Sequence, residues 1–163
     1  MSMPVSEKHF LEKIASYIPG VAGYREREGR RETDRRLREF AAGRLDEARQ
    51  TLVGRRNRAL DAGELEALDA IGRLDRVLQK TVAALRYADH GYSGVFDQVK
   101  ILEAELDRIY AYDAALVTDV VALSERLASS QAPDPGEWAS IADAAEGLDP
   151  KVARRREVLE SPV

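Results

Sequence analysis

The chain contains no cysteine. That excludes a disulfide framework, a thiolate metal site and a cysteine nucleophile, and it suits a reducing compartment. Histidine is nearly as scarce, with His9 and His90 as the two residues. Neither carries a glutamate three positions before it, where Ser6 and Tyr87 stand instead, so the Glu-x-x-His motif of di-iron helical bundles is missing. There is no Gly-x-Ser-x-Gly elbow, no P-loop and no Gly-x-Gly-x-x-Gly fingerprint. No apolar run is long enough to span a bilayer, and Glu7, Lys8 and His9 stand where a secretory signal would be apolar. No strand-like alternation and no internal repeat occurs. These absences predict a cytoplasmic protein that is not an enzyme and needs no cofactor.

A chain of 163 residues suffices for one domain with its own core and is short for two. The expected unit is a single helical domain over residues 1–163. Its charge is unevenly spread: residues 24–60 hold twelve arginines against seven acids, and residues 61–130 hold seven bases against thirteen acids. A basic segment beside an acidic one either binds an acidic partner or packs on its own neighbour.

The dominant pattern lies in the third quarter. Val99, Leu102, Leu106, Ile109, Asp113, Leu116, Val120, Leu123 and Leu127 follow at alternating steps of three and four, which is the spacing of a coiled-coil seam. One acid, Asp113, interrupts it. Asp97 is a good N-cap, so the spacing predicts one helix over 97–129, about 50 Å long. Two more long helices are expected before it. One runs over about 24–60, with Leu37, Ala41, Leu45, Ala48 and Leu52 on a stripe and a turn at Asp61-Ala62-Gly63. The other runs over about 64–90 and is apolar on two sides, which places it between neighbours. Short helices flank them: residues 6–17 before, and two after Asp134-Pro135-Gly136-Glu137 and Asp149-Pro150. The fold class is all-α, an elongated antiparallel bundle of three long helices with short flanking helices. Pro19-Gly20 breaks the chain after the first helix, so residues 1–18 read as a mobile N-terminal arm and 19–24 as its hinge.

Two segments carry a resemblance. Ile18-Pro19-Gly20-Val21-Ala22-Gly23-Tyr24, followed by the charged residues 30–39, is one; Arg86-Tyr87-Ala88-Asp89-His90-Gly91-Tyr92-Ser93-Gly94-Val95-Phe96-Asp97 is the other. Together they resemble a group of small, all-helical, uncharacterised bacterial proteins, over roughly residues 10–115. The resemblance implies a bacterial helical protein and brings no catalytic or binding residues with it.

Three constellations are candidates for chemistry. If the second and third long helices form a hairpin turning near residue 94, Asp75 faces Asp113, and Arg49 comes level with both across the turn at 61–63. Buried carboxylates must be answered. Asp75, Asp113 and Arg49 therefore read as a structural polar layer, with a slipped register or a metal held by core carboxylates as alternatives. Tyr87, Asp89, His90, Tyr92 and Phe96 form the densest polar–aromatic cluster, read either as a cap on the bundle or as an interaction surface. The arginines of residues 25–38 are interleaved with acids and lack aromatics, so nucleic acid is not expected. The functional expectation is a non-enzymatic scaffold or protein–protein interaction module, with a metal-binding bundle as the alternative. A protein partner is expected; a homo-oligomer and a peripheral membrane contact through residues 6–18 stay open.

Overall fold

The computed structural model describes residues 5–87, 93–98, 100–129 and 133–160, and the described residues are helical, with no strand among them. In chain order the helices are α1 (Val5–Ala15), α2 (Arg30–Ala62), α3 (Leu65–Arg86), α4 (Ser93–Phe96), α5 (Glu103–Ala128), α6 (Pro135–Glu146) and α7 (Leu148–Glu160). A single 3₁₀ turn, Arg27–Gly29, precedes α2. No described helix is long and apolar enough to cross a membrane.

Bonds between side chains and facing helices fix the directions. Arg38 reaches Leu85 O at 2.8 Å and Arg49 reaches Asp75 at 2.9 Å, so α2 and α3 run oppositely. Arg30 bonds Gln98 O at 2.6 Å and Arg55 bonds Leu127 O at 3.4 Å, so α2 and α5 run the same way. Arg73 meets Asp143 at 3.1 Å and Thr81 meets Asp149 at 3.0 Å, aligning α6–α7 with α3. Lys151–Asp119 and Arg155–Asp113 then run α7 back along α5. Helix α2 packs on α3 and α5, and the α6–α7 pair packs on α3 and α5 from the other side.

This arrangement overturns the hairpin of α3 and α5. The α6–α7 pair, buried through Trp138, Ile141, Ala145, Leu148 and Leu159, packs against both helices. The two apolar sides of α3 therefore face α2 and α6, and α2 is the helix that touches both other long helices.

Boundaries shift for local reasons. Helix α5 is unbroken but starts at Glu103, six residues after the predicted start, where the Leu102 N–H donates to the Glu105 carboxylate at 3.2 Å. Val99 lies outside the described residues, and Ile101 is buried from a non-helical segment. Helix α2 starts at Arg30 because the backbone before it is used otherwise: Tyr24 N–H donates to Tyr110 Oη at 2.9 Å, and Arg30 donates to Tyr24 O at 2.7 Å. Asp134 caps α6 as its sequence predicts, accepting from Glu137 N–H at 2.8 Å while Glu137 accepts from Asp134 N–H at 2.9 Å. Asp149 does not cap α7; its carboxylate is taken by Thr81 and Lys80. Gly63 ends α2 with φ +71°, a left-handed C-cap that favours glycine.

The N-terminal arm is docked. Phe10 and Ile14 of α1 are fully buried, α1 packs on α5, and Ile18 and Val21 of the expected hinge join the same core. Tyr17 stays on the surface beside Phe40, with ring centroids 5.9 Å apart.

Candidate functional site

The chemically densest place among the described residues is a buried junction of α2, α5, α7 and the loop before α2. Gly23 brings the chain into it. Its φ of +89° suits glycine, and a side-chain carbon there would lie 2.8 Å from Tyr110 Oη. The next residue, Tyr24, is wholly buried: its ring stacks on Phe96 at 5.4 Å and its hydroxyl donates to Asp113 Oδ2. Asp113 accepts from Arg155 Nε at 2.5 Å. Arg155 Nη2 bridges to Asp34 Oδ1 at 2.6 Å, and Asp34 accepts from Arg38 Nε at 2.9 Å. Two carboxylates and two guanidiniums thus neutralise one another, and all four residues are buried.

Electrostatics keep the network closed. Burial raises the Asp113 carboxyl, while Arg155 and the Tyr24 hydroxyl pull it back down. Burial also works against a charged Arg155, but Asp113 first, with Tyr24 and Asp34 after it, outweighs it and holds the guanidinium charged. Burial and Asp113 together push the Tyr24 phenol well above its ordinary range, so it stays a donor. At the edge, Tyr110 donates to Glu7 at 3.2 Å, and burial first, with Glu7, raises the Tyr110 phenol to about 12. Glu7 also takes Arg25 at 2.9 Å, which pairs outward with Glu103 at 2.8 Å. These groups hold one another and serve as a lock between the N-terminal loop, the long helices and α7.

The expected polar layer is split. Arg49 does answer Asp75 at 2.9 Å, but both are part-exposed on an outer groove. Asp113 belongs to the interior junction, where Arg155 answers it. Asp75 and Asp113 do not meet, because α3 and α5 are not neighbours in the hairpin sense. No cluster of three His, Asp or Glu residues that could hold a metal occurs among the described residues.

The aromatic cluster is also divided. Tyr87 is 81% exposed at the end of α3, Phe96 is core, and Asp89, His90 and Tyr92 lie outside the described residues. The arginine-rich stretch is less solvated than its composition suggests: Arg30 and Arg38 are among the largest fully buried side chains. Others find acids, Arg31 with Asp97 at 2.5 Å and Arg35 and Arg36 with Glu32, both at 2.6 Å. The basic segment packs on acids of its own chain.

A second place offers space. An open groove of about 1060 Å³ runs along the free end of α2 and α3. Leu52 and Ile71 form its floor, Val53, Leu60 and Leu68 its apolar rim, and Arg49, Arg56, Asp69, Asp75 and Arg76 its charges. Composition alone did not single it out. No family model matches the chain, and no curated protein and no solved structure matches it.

Proposed function

We propose that the chain is a non-enzymatic helical interaction module of a bacterial cytoplasm. In this reading three long helices form an elongated antiparallel bundle, and the short helices hold it rigid. The observation that carries the reading is the groove between α2 and α3, where protruding apolar side chains and charges of both signs border a floor of core residues. Surfaces of this make-up suit macromolecular contacts: an apolar centre, arginines and a polar rim. The ionisable groups in the interior, by contrast, satisfy one another at the junction, which supports a structural role for them. The resemblance of the Ile18–Tyr24 and Arg86–Asp97 segments to small bacterial helical proteins agrees with the proposed setting.

The test places a photo-crosslinking amino acid at Val53 or Leu60 in the expressing cell, with Glu12 on the exposed side of α1 as the control. Protein adducts from Val53 and Leu60 with none from Glu12 are the expected result. Equal adducts at all three, or none at any, would overturn the groove as the docking surface. A hydrolytic or redox activity of the purified protein, abolished by one substitution, would overturn the non-enzymatic reading.

A further inference from the structure

We infer that the occupant of the groove is a second copy of this chain, bound through the same face about a two-fold axis. This rests on reading the groove as a docking surface and adds the identity of the partner.

Among the described residues, three of the large apolar side chains left exposed gather at this end of the hairpin: Val53 at 63%, Leu60 at 55% and Leu65 at 74% exposure. Charges in the same place are left over as well. Arg49 is taken by Asp75, and Arg73 by Asp143 and Glu146. Arg56, Asp69 and Arg76 line the groove and enter no ion pair among the described residues. Gly72 also lines it, in the middle of α3. A side-chain carbon there would meet nothing nearer than the end of Arg76, at 3.6 Å. Glycine is a poor helix former, and here no contact within the chain requires it.

The hairpin register places these features symmetrically. The Arg49–Asp75 bond and the turn at Gly63 bring Arg56 about level with Asp69. A two-fold axis running along the hairpin lays α2 of each copy on α3 of the other, and so Arg56 on Asp69 of the copy, twice. Leu60 and Leu65 lie four residues from that level toward the turn, about 6 Å along their helices, so Leu60 of one copy meets Leu65 of the other. Val53 and Gly72 lie three residues out on the side away from the turn, about 4.5 Å along their helices, so Val53 of one copy seats over Gly72 of the other. Knob meets hole, and cation meets anion, under one rotation, which is the signature of an isologous interface. A purely acidic helix or an anionic membrane would satisfy Arg56 and Arg76 but would set like charge against Asp69.

The experiment is sedimentation velocity on the full chain over about 1 μM to 1 mM, for wild type, Arg56→Asp, Asp69→Arg, the double exchange and Leu60→Asp, with circular dichroism to confirm helicity. Wild type should pass from monomer to dimer and stop there. Each single charge change should weaken the dimer about tenfold or more, since each sets two like-charged pairs face to face, and the double exchange should restore it. Leu60→Asp should leave a monomer. A wild type that stays monomeric, a ladder of larger species, or a dimer indifferent to these variants would each overturn the inference. A monomer that still forms Val53 adducts with another protein defeats the second copy alone, whereas a monomer without adducts defeats the groove reading with it.

Discussion

The interior junction and the outer groove use the same residue types to opposite effect. At the junction, Asp34, Asp113, Arg38 and Arg155 are buried and close on one another, with Tyr24 completing the set. On the groove, Arg49 and Asp75 pair at 2.9 Å in partial contact with water, and Arg56, Asp69 and Arg76 are left over. A charge taken out of water must be satisfied within the chain, so the junction specifies one arrangement of helices. A charge left in water costs little unpaired, so the groove retains capacity for something else.

The contrast breaks most sharply at Arg155. Arg155→Ala would leave Asp113 without its cation and Asp34 with half of its own. We expect a loss of about 3–5 kcal/mol, read by urea denaturation, which is a large share of the stability of a domain this size. Asp113→Asn should cost less, because Arg155 keeps Asp34 and the amide oxygen can still accept from Tyr24 or Arg155. If both variants melt like wild type, the junction is wet and the distinction between the two regions fails. Gly23→Ala comes next. It meets a left-handed backbone and the Tyr110 hydroxyl at once, and should cost about 1–3 kcal/mol in the same assay. Gly72→Ala on the groove should be neutral or slightly stabilising to the monomer.

Much of the junction was readable in the sequence one helix at a time. Asp113 interrupts the seam of α5. Leu148, Val152, Arg155 and Leu159 form an equally plain stripe on α7, so Arg155 stands on an apolar face, although as part of Arg154-Arg155-Arg156 it looks like a short surface patch. Asp34 and Arg38 sit on the stripe that continues through Leu37, Ala41 and Leu45. Each interruption announces a buried charge. What is not legible is the pairing, because it depends on which helices become neighbours. The packing of α6–α7 against both α3 and α5 decides that, so the acid of α5 meets α7 rather than α3. The groove was not legible for a related reason: Val53 and Leu60 look like any apolar residues until the packing leaves their side of α2 uncovered. Tyr24 carried one local clue, its place directly after a glycine in a helix-breaking loop.

The tyrosines extend the comparison to pH. Burial raises the Tyr110 phenol from 10.0 to about 12, and Tyr24 rises too. A raised folded-state pKa means that the phenol contributes its full stability below pH 10, and that this contribution is lost as pH climbs through about 12. The midpoint of urea unfolding should therefore fall between pH 10 and 12, with a slope approaching about 1.4 kcal/mol per pH unit for each phenol that titrates only on unfolding. Tyrosinate absorbance should rise together with the loss of helicity. Phenols that ionise while helicity persists would show that water already reaches the junction.

The smallest effect belongs to the outer pair. Arg49→Ala removes a contact with Asp75 in which both side chains are part-exposed, 28% and 43%. Water compensates both charges when the pair is broken, and ordering two long side chains opposes the gain from forming it. The expected loss is therefore about 1 kcal/mol or less, and it should shrink further in high salt. Asp75→Asn should behave alike, and the double variant should show little coupling beyond the single ones. The Arg155 and Asp113 variants should respond much less to salt, because ions screen a buried pair poorly. If Arg49→Ala were as damaging as Arg155→Ala, at any salt concentration, the outer pair would be a structural layer after all and the groove would be part of the folding core.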